Sequence, residues 1–408
     1  MWWRGFATPT VSPAEQRPPD PGAGREPLRA RGRPRLRRRT PGPALLAGAA
    51  AGTVGLAALA AGRHASSVAL RPLRTGPPGS EQVVVHDATP DTVTLARTPV
   101  STRPGTYGLT GTTCHAVLGD VLSTTDDAVT RRLTRVDRGT LDRRTRGVFT
   151  PQAYTGDPRS ARDLDYRDVT VPGDLGPLPC WMLPGVRKVW VVAVHGLGAT
   201  REQTLALLPT LCALHLPVLS VSYRNDPAAP RSPDHLGHLG DTEWHDLDAA
   251  LRFAVEHGAR QVVVVGWSVG ATMALYAAHR SPLRGAVGGL VLDSPVLDWE
   301  TTLRRLAVRR GVPAALLPLL LRAAEGRGVL PGDRLRRASR PEALFVPTLL
   351  VHGPDDTVAP WDRTRALARD RADLATLYRV PGADHAAMWN ADPDGYEEQV
   401  RRFLVPLL

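Results

Sequence analysis

Lysine is almost missing from this chain. Lys188 is the single lysine among 51 basic residues, and every other one is arginine. With abundant Ala, Gly and Pro, this bias reads as a GC-rich coding background rather than as a set of guanidinium-specific contacts. Cysteine is nearly as scarce. Cys114, Cys180 and Cys212 are far apart and odd in number, with no metal-ligand spacing, so a cysteine-based metal site is not expected. Cys212 lies in an apolar helical stretch and reads as a core residue. Cys114 and Cys180 form the pair to examine for a disulfide if the domain is exported. Acidic residues are scarce in one region only. Residues 1–74 carry 13 Arg and 3 acids, a net of +10, whereas the remaining 334 residues carry 38 basic and 37 acidic groups, a net of +1. The overall charge of +11 therefore belongs to a tail, and the folded part is nearly neutral. The tail has no interleaved aromatics and no recognisable module, which argues against nucleic acid as a partner.

Large apolar residues are nearly absent from residues 7–43, an Arg/Pro-rich leader (1–43) expected to be disordered. Residues 44–62 then run without a charge, ALLAGAAAGTVGLAALAAG, close to the minimum length for a helical membrane span. Nine of these nineteen residues are Ala and four are Gly, so the run is only modestly hydrophobic. Three readings compete: a retained signal anchor, a signal peptide cleaved near Ala58-Leu59-Ala60, and a bland Ala/Gly linker. The basic block ahead of the run favours the anchor. It would place the N-terminus in the cytoplasm and the remainder outside, in a cell membrane. Secretion after cleavage is the alternative. Residues 63–79 read as a linker.

What the chain does contain is strand and helix punctuation. Residues 80–167 are β-rich and irregular, with short strand candidates at Val83–His86, Thr92–Leu95, Val117–Leu122 and Gly147–Phe149. They are expected to supply an N-terminal extension and, with Asp168–Val171, the first antiparallel strands of a sheet. From residue 189, apolar strands alternate with amphipathic helices. The strands are Val189–His195, Pro217–Tyr223, Gln261–Gly266, Gly289–Asp293, Thr348–His352 and Ala375–Val380, with helices such as Gln203–Leu214, Glu243–Glu256 and Ala271–Ala278 between them. This pattern predicts an α/β domain, a mostly parallel sheet covered on both faces, over residues 168–408. Active sites in such sheets lie at the carboxyl ends of the strands.

The chemistry-bearing residues fall at such ends. Four valines, Val262–Val265, run into Gly266-Trp267-Ser268-Val269-Gly270, and a helix-forming run follows. This is the strand–turn–helix setting of a nucleophile elbow, where glycines let neighbouring elements pass too close for a Cβ. A serine hydroxyl needs a base, an acid to orient it, and donors for the oxyanion. Thr348–Val351 is followed by His352-Gly353-Pro354-Asp355-Asp356-Thr357-Val358, Leu377–Val380 by Pro381-Gly382-Ala383-Asp384-His385, and Val192–Val194 by His195-Gly196-Leu197-Gly198.

In these motifs, and in the order Ser, acid, His, the chain resembles the α/β-hydrolase superfamily, specifically its single-domain serine aminopeptidase- and carboxylesterase-like members. The resemblance covers about residues 168–408. It implies the α/β-hydrolase fold, with Ser268 as nucleophile, Asp356 as orienting acid and His385 as base. It also implies an oxyanion hole from the backbone N–H groups of Leu197 and Val269. Adjacent side chains on an extended loop point to opposite sides, so Asp355 should face away from His385. Asp293 follows a strand where some hydrolases carry their acid, but it reads better as a cap or loop hydrogen-bonder. His195 and His352 read as structural hydrogen-bonders, and Asp384 most simply as a solvated loop residue, with tuning of the neighbouring base's pKa as the alternative. His235, His238 and His245 cluster without zinc-type spacing and read as a polar loop and helix face. No cofactor or metal is expected.

The resemblance further implies a helical cap inserted at about 299–344. It contains Trp299–Arg310 and the apolar Pro313–Leu321. Trp299, Trp361 and Trp389 flank the motif loops as candidate pocket residues. The expected activity is hydrolysis of a small-molecule ester or amide through an acyl-Ser268 intermediate. A serine peptidase is the runner-up. Acyl transfer to another alcohol, a cofactor-free haloperoxidase and an inactive membrane-tethered scaffold are further readings.

Overall fold

A computed structural model describes residues 58–72, 76–326 and 330–408. The leader and residues 44–57 of the expected span lie outside the described residues. The first element departs from expectation. Residues 58–70, expected to join the end of a span to a linker, form one helix. It is bound to the rest of the molecule by specific contacts. Arg310 Nη1 donates to the carbonyls of Val68 and Arg71, and Gly237 N donates to Leu70 O at 2.8 Å. A Cβ on Gly62 would stand 2.7 Å from Leu319 O, so the helix lies close against the cap region. No helix among the described residues is long and apolar enough to cross a membrane.

The β-rich region also departs from expectation. Its strands do not extend the main sheet. They close on themselves as a six-stranded antiparallel barrel in the order β1-β2-β5-β4-β3-β6. The strands are β1 Glu81–Ala88, β2 Thr92–Ala96, β3 Tyr107–Gly111, β4 His115–Thr124, β5 Ala128–Arg138 and β6 Arg146–Thr150. Alternate residues point inward, and Val83, Val85, Val93, Leu95, Leu109, Leu118, Val129 and Phe149 fill the centre. Closure leaves no free edge. Arg131 on β5 is 0% exposed and forms no ion pair with a carboxylate among the described residues. Its guanidinium is instead satisfied by four carbonyls: Gly119, Ser101, Arg103 and Gly105. Burial pushes it down to about 10.

The second sheet has eight strands in the order β14-β13-β12-β11-β9-β10-β8-β7. β7 Arg167–Gly173 and β8 Gly176–Leu183 form an antiparallel hairpin that joins β10 Val218–Val221. The others run parallel: β9 Val189–Val194, β11 Gln261–Trp267, β12 Val287–Asp293, β13 Thr348–His352 and β14 Ala375–Arg379. Strand residues feed two apolar layers by turns. Val262 and Val264 join one layer, Val263 and Val265 the other, and all four are at most 1% exposed. Each such valine contributes about 1.5–3 kcal/mol by burial. The chain leaves β9 for β10 on one side and returns to β11 on the other. The crevice beyond the carboxyl ends of β9 and β11 is therefore a topological switch point. Helices Trp299–Arg309, Leu317–Gly326 and Gly332–Ala338 lie between β12 and β13 in sequence, where the cap insertion is expected.

The pair singled out for a possible disulfide is not bonded. Cys114 lies in the barrel and Cys180 on β8, both buried and free, and Cys212 is also free.

Candidate active site

At the end of β11 the backbone turns sharply. Ser268 sits at φ 51° and ψ −113°, a conformation that costs roughly 1–3 kcal/mol for a non-glycine residue and persists only where its surroundings impose it. Those surroundings are backbone. A Cβ on Gly266 would lie 2.5 Å from Gly270 O, and one on Gly270 would lie 2.2 Å from Val194 O. Ser268 N donates to Asp293 O at 2.8 Å, tying the turn to β12. The helix Val269–Arg280 begins directly after it.

The turn aims Ser268 Oγ at His385 Nε2, 2.6 Å away. On the other side of the ring, His385 Nδ1 lies 2.8 Å from Asp356 Oδ2. The chemistry assigns the tautomer: Nδ1–H donates to the carboxylate, leaving Nε2 free to accept the serine proton. All three residues are buried. Burial alone would raise the Asp356 carboxyl. His385 and His352 outweigh it and hold the group well below the usual carboxylate range. Asp356 Oδ1 also accepts from Val358 N and Ala359 N, each at 2.7 Å. Asp355 points away, as expected, and accepts from Gly382 N at 2.7 Å.

His352 is a structural hydrogen-bonder, as its His-Gly turn suggests, but its partners were not readable from the motif. Its Nε2 lies 2.9 Å from Asp356 Oδ2 and its Nδ1 lies 2.7 Å from Thr364 Oγ1. The acid thus faces two imidazoles. Asp384 corrects the expectation of a solvated loop residue, since it is 1% exposed. Its Oδ1 accepts from Thr357 N and Oγ1. Asp293 is buried, accepts from Ser294 Oγ at 2.7 Å and is pushed by burial up to about 7. Ser294 Oγ in turn accepts from Ala386 N at 3.0 Å, so Asp293 supports the histidine loop without touching the ring.

The loop after β9 passes against the serine. A Cβ on Gly196 would lie 2.9 Å from Ser268 Cβ. His195 is a structural residue here: Nε2 lies 2.6 Å from Asp226 Oδ2, and the ring stacks on Tyr223 with centroids 4.3 Å apart. Gly196 N donates to Gln203 Oε1 at 2.8 Å. Leu197 and Val269, whose N–H groups are the expected oxyanion donors, both line a cavity of about 1120 Å³. Its apolar walls include Leu70, Leu239 and Leu306. The C-terminal turn of helix 58–70 therefore borders the space that opens on the oxyanion loop. Trp299, Trp361 and Trp389 do not line this cavity. Trp299 and Trp389 are core residues, and Trp361 stands edge-on to His352. His238 bonds to Asp234 and Thr242, and no histidine-rich metal cluster occurs among the described residues.

Comparison with known proteins finds matches over both sheets of the chain. Residues 84–150, most of the barrel, match a model described as "Domain of unknown function (DUF8805)". The uncharacterized protein YfhR of Escherichia coli K12 is 22% identical over 262 residues, 62% of this chain and 84% of that protein. Among solved structures, the Pyrococcus furiosus esterase Pf2001 is 19% identical over 61% of this chain and 95% of its own, with a TM-score of 0.49. A Thermogutta terrifontis esterase is 19% identical over 59% and 99%, with a TM-score of 0.42. Residues 191–399 match the model of the alpha/beta hydrolase family, and this chain belongs to that family.

Proposed function

We propose that the protein is a serine hydrolase that cleaves carboxylic esters through an acyl-Ser268 intermediate. The unbroken hydrogen-bonded line from Ser268 Oγ through His385 to Asp356, 2.6 and 2.8 Å, carries this reading. His385 Nε2 takes the serine proton as Oγ attacks the ester carbonyl. Asp356 stabilises the imidazolium that forms. The N–H groups of Leu197 and Val269 receive the developing oxyanion. His385 then protonates the departing alkoxide, and the same base activates water to release the acid and free serine.

Ester is preferred to peptide on one observation. An aminopeptidase needs a free carboxylate to hold the substrate ammonium. Two acids line the cavity, and both are already engaged: Asp226 with His195 and Tyr223 N, Glu243 with His238 N and Gly240 N. The apolar walls suit a hydrophobic acyl or alcohol group. A panel of p-nitrophenyl esters against aminoacyl-p-nitroanilides tests this. Ester turnover with none on the anilides is expected, and the reverse would make the protein a peptidase.

Placement of the hydrolase outside the cytoplasm is a separate part of the proposal, supported by the arginine block ahead of the uncharged run. Digestion by added protease in intact cells tests it, and full protection until lysis would refute it.

A further inference from the structure

We infer that the six-stranded barrel is a working part of this hydrolase. Arg103, presented by the loop that buried Arg131 organises, positions the histidine loop through Asp384. The inference rests on the proposed role of His385 as general base.

Asp384 is the residue before the base and is held from three directions. Arg103 Nη1, from the barrel, lies 2.6 Å from Asp384 Oδ2. The contact is an ion pair whose angle lies off the line of a directed hydrogen bond. Thr357, next to the acid, gives Asp384 Oδ1 both its N–H (3.1 Å) and its hydroxyl (2.6 Å). Arg309, from the cap, approaches Oδ2 at 3.6 Å. One carboxylate therefore joins the acid loop, the base loop, the cap and the barrel. A buried carboxylate next to a histidine raises that histidine's proton affinity unless cations offset it. Arg103, with 17% of its side chain exposed against 36% for Arg309, is the nearer and better shielded cation.

The barrel is built to hold Arg103 there. Arg131 donates to the carbonyls of Ser101, Arg103 and Gly105, three residues of one short loop. The next residue docks on the hydrolase: Thr106 N donates to Asn390 O at 2.8 Å, and Asn390 Nδ2 donates to Thr106 O and Pro151 O, each at 2.7 Å. Gly105, at φ +93°, has no room for a side chain, since a Cβ would fall 1.9 Å from Asn390 O. The other charged or titratable groups around His385 are Asp356 and His352 from the acid loop and Asp293 at the end of β12. Arg305 on the cap lies 3.4 Å from Asp356 O, Glu81 and Tyr107 on the barrel are near Arg103, and Asp355, bonded to Gly382 N, is near it as well. None of these contacts Asp384 in place of Arg103.

Steady-state ester kinetics on R103M, R103K, D384N and the R103M/D384N double variant, across pH and with melting curves for each, test the inference. For R103M, kcat should fall about tenfold through a misplaced base, with KM little changed. The acid limb of its kcat/KM profile should move up by roughly half to one pH unit, because the uncompensated carboxylate favours the imidazolium. R103K should restore the limb, and the double variant should return it to the wild-type position. Folded R103M with a wild-type profile, or with lower kcat and an unmoved limb, would overturn the inference. If R103M does not fold, D384N decides: its limb should move down, and an unmoved limb overturns the inference. Absence of turnover in the wild type would instead remove the hydrolase reading itself.

Discussion

His352 Nε2 lies 2.9 Å from Asp356 Oδ2, the same oxygen that faces His385 Nδ1. Asp356, the proposed orienting acid, is thus clamped by a second imidazole, itself fixed by Thr364. Replacing His352 by Leu removes a buried donor from a buried carboxylate. The loss should cost about 1–3 kcal/mol of stability and lower kcat several-fold, as Asp356 becomes free to rotate. Urea unfolding together with ester kinetics checks both effects. An unchanged midpoint would show that the contact is not made in solution.

Asp293 gives stability an unusual slope with pH. Its carboxyl is pushed by burial from 3.8 up to about 7, so the folded state keeps a proton that the unfolded chain has lost. The stabilising contribution of protonated Asp293 is present below about pH 4 and is lost as pH rises to about 7. The shift corresponds to roughly 4 kcal/mol. In D293N, which accepts from Ser294 without ionising, the decline between pH 4 and 7 should be largely removed. Urea unfolding of both proteins at pH 5 and 8 measures it. Equal slopes would refute the buried neutral acid.

Asp356 works in the opposite direction. Its carboxyl is held below the usual range, so its contribution is complete above about pH 4 and fades only in stronger acid, as pH falls towards the folded value. Wild type should therefore lose stability steeply below pH 4, and D356N should show a shallower loss there. Acid unfolding curves of the two proteins decide the matter.

Helix 58–70 should depend on Arg310. The guanidinium donates to the carbonyls of Val68 and Arg71 at the end of the helix that borders the cavity. Hydrogen bonds from a charged donor are worth about 1.5–3 kcal/mol, so R310A should speed tryptic cleavage after Arg63 by about tenfold or more. Fragment masses over time report the rate. Unchanged protection would mean that other contacts hold the helix.

The elbow and its three loops were legible in the sequence because their constraints are local. Gly266 and Gly270 are needed where backbones meet, and a strand end must present each reacting group. The barrel was not legible. Its closure depends on pairing β1 with β6 and β2 with β5, and nothing in the short strands states that register. Asp384 was misread for a related reason. A charged residue in a Gly-rich loop looks solvated until Arg103 arrives from a distant part of the chain. The histidine beside the acid loop was visible, but its second contact to Asp356 depends on how that loop folds back.

The central claim is that Ser268 is the nucleophile and His385 its base. Intact-protein and peptide mass spectrometry after treatment with a fluorophosphonate tests it most directly. A single adduct on Ser268 is expected, absent in S268A and strongly slowed in H385A. A folded wild-type protein without an adduct, or with the adduct on another residue, would contradict the account.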